Sequence, residues 1–193
     1  MCDPLHGALF LIVAFTLAGL PHSLWLHSRV SHTLAIPLDG GHRFRGQPIF
    51  GMNKTLRGFV VMIPGAALAF VAVATAVSLP EGGPPATLWQ LRLVEYAALG
   101  AWAGFGFMAG ELPNSFVKRR LGILPGESPS SNLTKTICLI IDRTDSIFGM
   151  LAAVTVAVPT PWMTWVWVLV LGPWFHAGFS WWLFRLGVKR RPA

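Results

Sequence analysis

Residues 58–79 read GFVVMIPGAALAFVAVATAVSL and carry no charge. A helix of roughly 20 apolar residues crosses the hydrocarbon of a bilayer. Three further runs of that kind follow from the chain: 7–26, broken only by Pro21 and His22; 93–110, with Glu95 near its start; and 163–184, rich in Trp. A fifth, 137–158, is apolar except for Asp142, Arg143 and Asp145. Composition agrees, with 53% hydrophobic residues and 12% charged, about half the charge of a soluble domain. Mean hydropathy is +0.57. These values exclude a disordered chain, a collagen-like chain and an ordinary water-soluble enzyme. The expected fold is an all-α polytopic membrane protein, one domain over 1–193, with five transmembrane helices. No basic residue precedes the first run, so a cleaved signal peptide is not expected. The two cysteines, Cys2 and Cys138, are too few for a zinc cluster or a disulfide framework.

Lys and Arg set the expected orientation. Loop 28–57 carries Arg29, Arg43, Arg45, Lys54 and Arg57; loop 111–136 carries Lys118, Arg119, Arg120 and Lys135; the tail carries Arg185, Lys189, Arg190 and Arg191. The alternate connections are nearly free of basic residues, Arg92 being the exception. Five spans therefore put the N-terminus outside and both basic loops and the C-terminus in the cytoplasm, where four would misplace one basic loop. Trp89, Trp162, Trp165 and Trp167 cluster at the outer ends and Trp25, Trp181 and Trp182 at the inner ends, as aromatic belts do. The net charge of +7 reads as a topology signal facing anionic lipid headgroups, not as a nucleic-acid surface.

Three cytoplasmic stretches carry the chemistry. The first, 38–59, is rich in Gly, Lys and Arg, residue types that let backbone and countercharge approach a phosphate. It lacks P-loop spacing. The second is GELPNSFVKRRLG, 110–122. Pro113 suits the first turn of a helix and Gly122 a C-terminal cap. Glu111, Ser115 and Lys118 at i, i+4 and i+7 would share a face. The third is IDRTDS, 141–146. Asp142 and Asp145 stand at i, i+3 on an otherwise apolar helix, and Arg143 points elsewhere. Two carboxylates near the bilayer cost several kcal/mol uncompensated. A divalent cation such as Mg²⁺ is the natural compensation, its shell completed by substrate phosphates and water. Together these residues suit a polyphosphate at the membrane surface. His32 and His42 read as solvated loop residues, and His22 and His176 as hydrogen-bonded histidines near or within spans.

The motifs resemble those of the CDP-archaeol synthase family, relatives of the CDP-diacylglycerol synthases. Gly51-Met52-Asn53-Lys54-Thr55-Leu56-Arg57-Gly58 looks like that family's G-x-x-K-T-x-R-G. Residues 110–122 look like its G-[DE]-x-x-x-S-x-x-K-R-x-x-G, and Asp142-Arg143-Thr144-Asp145 like the D-x-x-D of the wider superfamily. The resemblance runs from about Leu38 to the end of the fifth span. Glu111 stands where Asp is common, and Met52-Asn53 replaces Asp-Gly. The stretch between Gly122 and Asp142 lacks the Lys-Asp and His-Gly-Gly pattern of the diacylglycerol enzymes, which favours the archaeol-type branch.

The resemblance implies a Mg²⁺-dependent cytidylyltransferase of the cytoplasmic membrane. CTP and a lipid phosphomonoester would give a CDP-lipid and pyrophosphate on the cytoplasmic side. Asp142 and Asp145 would be metal ligands, with Glu111 as a third or standing behind them, for one or two Mg²⁺ ions; a monovalent ion and a homodimer are left open. Asp142, Asp145 and Lys118 would be catalytic. Lys54, Asn53, Thr55, Arg57, Ser115, Lys118 and Arg119 would bind CTP and phosphate. Two alternatives stand beside this: a CTP-dependent lipid kinase, which would need a base for a hydroxyl acceptor, and a small transporter using Asp142 and Asp145 as an ion site.

Overall fold

Five helices follow the five apolar runs in order: α1 (Pro4–Leu26), α2 (Leu56–Ser78), α3 (Leu93–Arg120), α4 (Asn132–Ala157) and α5 (Trp162–Arg185). This computed structural model describes residues 2–26, 28–80, 83, 85–125, 127 and 131–185. The basic tail residues Lys189, Arg190 and Arg191 lie outside them, as does the side chain of His176. Among the described residues two helices, α1 and α2, are long and apolar enough to cross a membrane by length and composition alone. A shorter apolar stretch, Trp162–Phe175, lies in α5.

The structure corrects the expected boundaries in three places. Residues 111–120 are not loop: α3 continues through them, with Pro113 inside the helix rather than in a first turn. A proline forfeits one N–H, but its fixed φ is helical, so the chain passes through it when neighbouring helices hold it. α3 stops where the backbone turns left-handed, at Gly122 (φ 74°). The Gly122 and Ile123 N–H groups donate back to Arg119 O and Lys118 O (3.2 and 3.0 Å), which closes the helix end. α4 begins at Asn132, five residues before the expected span. The first basic loop, 28–57, is also partly ordered. It holds a 3-10 turn (Val30–Leu34) and a hairpin of two two-residue strands, β1 (Arg43–Phe44) and β2 (Gln47–Pro48). The fold is thus helical with one small antiparallel clip.

α3 is the central helix, and glycine is what lets its neighbours approach. Gly100 and Gly104 face α2: a Cβ at Gly100 would lie 2.6 Å from Ala66 O, and one at Gly104 2.9 Å from Met62 O. Gly106 and Gly110, on a different face, meet α4. A Cβ there would lie 2.6 Å from Gly149 O and 2.5 Å from Asp145 O respectively. Both pairs have the small-x-x-x-small spacing that brings membrane helices into backbone contact. The core sits toward the opposite end. Phe10 of α1 packs edge-on against Phe70 of α2 (5.2 Å) and beside Tyr96 of α3 (5.4 Å). The buried Tyr96 hydroxyl donates to Trp89 O at 2.6 Å, so the ring keeps its apolar contacts without an orphaned O–H.

The first loop is fastened to the end of α3. Arg120 donates to the carbonyls of Phe44, Gln47 and Pro48, and its guanidinium stacks over Phe44 (5.4 Å) and Phe116 (4.9 Å). Arg119, 7% exposed, donates to Phe50 O (3.1 Å) and to Ile123 O. Asp39 organises the loop interior. Its carboxylate accepts from the N–H groups of Gly41 (3.0 Å), Phe50 (3.0 Å) and Gly51 (2.9 Å). Gly51 adopts φ 93° against Pro125 and Arg119, where a side chain would be both strained and blocked. Burial pushes the Asp39 carboxyl up, and the three N–H groups outweigh it, holding the carboxyl below its ordinary range. The contribution is therefore complete above the ordinary value of about 4 and lost as pH falls through the lower folded value. Asp39→Ala is expected to loosen residues 36–58 by about 2 kcal/mol, since it strands buried N–H donors. Hydrogen exchange at the Phe50 and Gly51 amides measures this; protection equal to wild type would refute it.

Candidate active site

At the end of the α3–α4 pair a chain of polar side chains links three elements. It starts in the first loop, where Lys54 donates to Glu111 Oε2 of α3. Glu111 Oε1 accepts from the Ser146 hydroxyl of α4 at 2.8 Å. The Ser146 N–H and hydroxyl donate to Asp145 Oδ1 (2.7 and 3.3 Å). Asn114 Nδ2 then spans both acids, donating to Asp145 Oδ2 (2.7 Å) and Asp142 Oδ1 (2.6 Å). Lys118 completes the chain on the Asp142 carboxylate. Three carboxylates are thus countered by two ammonium groups, an amide and a hydroxyl. Arg143 is exposed and pairs with neither acid.

Helix geometry explains the arrangement. Glu111, Asn114 and Lys118 stand at i, i+3 and i+7 on α3, and Asp142, Asp145 and Ser146 at i, i+3 and i+4 on α4, so each set shares one face. The glycine contact between Gly110 and Gly149 turns those faces toward each other. The expected face used Ser115 instead of Asn114. Ser115 is buried, 6% exposed, and makes no hydrogen bond to the acids. Asn114 and Ser146 were the residues that sequence reasoning passed over, although both stand inside the stretches it singled out. Their spacing from the acids was the signal.

The expected residues divide into groups. Asp142, Asp145, Glu111, Lys118 and Lys54 lie along the polar chain. Asn53, Thr55 and Arg57 line a cavity of about 240 Å³ with Lys54, Glu111 and His22 of α1. Arg119 does not join them: its Nε and Nη1 donate to the Phe50 and Ile123 carbonyls, which ties the loop to the end of α3. Glu111 stands apart from the acid pair, because the Ser146 hydroxyl and Lys54 occupy its two oxygens. Among the described residues no group of three His, Cys, Asp or Glu is placed to hold a metal ion together. The expectation of hydrogen-bonded His22 is also corrected: its Nδ1 is buried without a partner among the described residues. The pair Asp142 and Asp145 has the donor chemistry that Mg²⁺ takes, two hard carboxylates completed by water and phosphate oxygens. Their lone pairs are held meanwhile by Asn114 and Lys118, donors that a cation could replace.

A helical membrane scaffold with acids, ammonium groups and a small cationic cavity gathered at one end has the make-up of an enzyme for anionic headgroups. Comparison with known proteins narrows the class. The profile of the CarS-like CDP-archaeol synthases matches residues 10–192, and the chain belongs to that family. It is accordingly an enzyme of the cytidylyltransferase class, in membrane lipid biosynthesis. CDP-archaeol synthase of Hyperthermus butylicus is 31% identical over 81% of this chain and 76% of its own. Those of Halobacterium salinarum and Halorubrum lacusprofundi are 34% and 32% identical, over 81% of this chain and 82% and 83% of theirs. A solved structure described as an intramembrane enzyme for archaeal membrane lipid biosynthesis shares the fold. Its TM-score is 0.53 at 22% identity, covering 84% of this chain and 89% of that one.

Proposed function

We propose that this chain transfers the cytidylyl group of CTP to a lipid phosphomonoester, leaving a CDP-activated lipid of the archaeol type and pyrophosphate. An oxygen of the lipid phosphate bonds to the α-phosphorus of CTP, and the bond from that phosphorus to the α–β bridging oxygen breaks. The observation that carries this reading is the polar chain from Lys54 to Lys118, which joins an acid pair to a cationic cavity across α3 and α4. A lipid phosphomonoester has its second pKa near 6, so it is already largely ionised at neutral pH. No general base is required, which agrees with an acid pair whose hydrogen-bond partners among the described residues are Asn114, Lys118 and Ser146. What the step requires is in-line placement and neutralised charge. Lys118 and Asn114 hold the acid pair in place and stand ready to contact nucleotide phosphates. Lys54 and Arg57 offer countercharge to a second phosphate. Bound at Asp142 and Asp145, one or two Mg²⁺ ions would supply charge neutralisation at the phosphates of CTP. The five apolar runs and the distribution of Lys and Arg support five crossings, the N-terminus outside and this site on the cytoplasmic side.

The test is the purified protein in detergent with CTP radiolabelled at the α-phosphate, Mg²⁺ and a panel of lipid phosphates. The panel holds phosphatidic acid, an unsaturated diether glycerol phosphate and a polyprenyl phosphate. Label is expected in the diether lipid with matching pyrophosphate release, abolished by EDTA and by Asp142→Asn. Label that never reaches any lipid, with phosphorylated lipid and CDP formed instead, would replace cytidylyl transfer by γ-phosphoryl transfer.

A further inference from the structure

Ser146 puts its hydroxyl where a helical serine ordinarily does not. Inside a helix a Ser or Thr hydroxyl that bonds its own backbone returns to the carbonyl one turn back. Thr16, Ser78, Thr136 and Thr144 all do so, donating to Ile12 O (2.7 Å), Ala74 O (2.7 Å), Asn132 O (3.0 Å) and Ile140 O (2.9 Å). The Ser146 hydroxyl instead leaves α4 and donates across to Glu111 Oε1 of α3 at 2.8 Å. The residue is buried, 8% exposed, and stands one turn before Gly149, where α3 and α4 are in backbone contact. Close packing explains a small side chain there, and alanine would satisfy it. Packing does not explain a hydroxyl.

The bond holds a carboxylate that has a second partner. Glu111 Oε2 accepts from Lys54 of the first loop. With Oε1 held by Ser146, the carboxylate cannot turn without breaking one of the two bonds. An ammonium on a flexible four-carbon stem with three rotatable donors takes many orientations unless its partner is fixed. Ser146 thus settles where Lys54 stands relative to α4. Asp145 depends on the same hydroxyl much less. Its Oδ1 takes the Ser146 N–H at 2.7 Å and the hydroxyl at 3.3 Å, and its Oδ2 takes the Asn114 amide at 2.7 Å. A hydroxyl has one proton to give, and the shorter contact gives it to Glu111. Removing the hydroxyl therefore leaves Asp145 with its two shorter bonds and leaves Glu111 with Lys54 alone.

We propose that Ser146 is a positioning residue: its hydroxyl orients Glu111, and Glu111 in turn places the Lys54 ammonium to meet a substrate phosphate. Ser146 acts on binding through Lys54 and not on the chemistry through Asp145. The proposal rests on the cytidylyl-transfer reading only in that Lys54 faces a phosphate. That phosphate belongs either to CTP or to the lipid, and binding tells the two apart without turnover.

CTP with Mg²⁺, and separately a short-chain dialkylglycerol phosphate, are titrated calorimetrically into detergent-solubilised protein. The set is wild type, Ser146→Ala, Ser146→Thr, Lys54→Ala and the double variant Lys54→Ala with Ser146→Ala. The ligand that loses affinity with Lys54→Ala is the one whose phosphate Lys54 meets. Ser146→Ala should weaken that same ligand about tenfold, the size of a lost hydrogen bond to a charged group, and leave the other within about twofold. Ser146→Thr keeps the hydroxyl and should recover most of the loss. In the Lys54→Ala background, Ser146→Ala should change affinity by less than about twofold, since no ammonium is left to place. In turnover the effect should fall on KM, with kcat within about threefold of wild type, because the bonds from the Ser146 N–H and Asn114 to Asp145 persist. Where the added methyl of threonine lowers the unfolding temperature, the double variant alone decides. Equal affinities in wild type and Ser146→Ala would overturn the proposal. So would losses that add in full in the double variant, a loss confined to the ligand that Lys54→Ala spares, or no loss from Lys54→Ala for either ligand. A kcat lowered about a hundredfold at unchanged affinity would also overturn it, by placing Ser146 with Asp145. The expected binding pattern in a protein that never labels lipid from CTP would refute the proposed reaction while upholding the positioning role.

Discussion

Asp145→Asn is expected to lower kcat by about a thousandfold while leaving the protein folded. The change is isosteric, and the half-buried side chain keeps an oxygen to accept from Ser146 or Asn114. What it removes is one negative charge, and with it half of the acid pair. Loss of such a group from a phosphoryl-transfer site removes about 4 kcal/mol of transition-state stabilisation, which converts to three orders of magnitude in rate. The assay is label transfer from CTP at saturating lipid phosphate and excess Mg²⁺, with thermal unfolding alongside. Turnover within tenfold of wild type would take Asp145 out of the reaction. Glu111→Gln separates two roles for the third acid. Because Glu111 bonds Lys54 and Ser146 rather than standing with the pair, its loss should cost less than that of Asp145.

Gly149→Ala is expected to be the most damaging single methyl added to the protein. Its Cβ would lie 2.2 Å from Gly106 O and 2.6 Å from Gly110 Cα. All of these neighbours are backbone, so no flexible side chain can yield and the helices must separate. Overpacking of this kind costs about 3 kcal/mol or more where the surroundings cannot move. The expected outcome is a low yield of monodisperse protein and a clear fall in unfolding temperature. Activity in the folded remainder should fall too, since α3 and α4 carry opposite halves of the polar chain. Gly178→Ala on α5, where nothing lies within 4 Å, is the control and should leave stability unchanged or slightly raised. Equal stability of the Gly149→Ala and Gly178→Ala proteins would mean that α3 and α4 are not in backbone contact.

Most of the helical plan was legible in the chain. Apolar runs of spanning length declare themselves, because lipid leaves buried backbone groups no partner but their own helix. The misread boundaries fell where that pressure ends. Once α3 leaves the apolar stretch, hydropathy no longer reports helix, and Pro113 suggested a start where the chain in fact passes straight through. Gly122 was read as a stop and is one, because a left-handed cap is a local property of glycine. Arg119 shows the opposite limit. A basic residue beside a phosphate-like motif looks the same in sequence whether it faces substrate or carbonyls; here the carbonyls of Phe50 and Ile123 claim it.

By itself, then, the amino-acid sequence determined the membrane class, the order of the helices and the stretches in which chemistry-bearing residues gather. Those follow from local hydrophobicity and from spacing along one helix. The tertiary structure alone decided which residues meet: that Asn114 and not Ser115 spans the acids, that Glu111 answers to Lys54 and Ser146, and that His22 lines one cavity with Arg57. Spacing fixes a face but not the direction in which that face turns. That direction depends on the register between helices, which the backbone contacts of Gly106 and Gly110 with Gly149 impose across some forty residues of intervening chain.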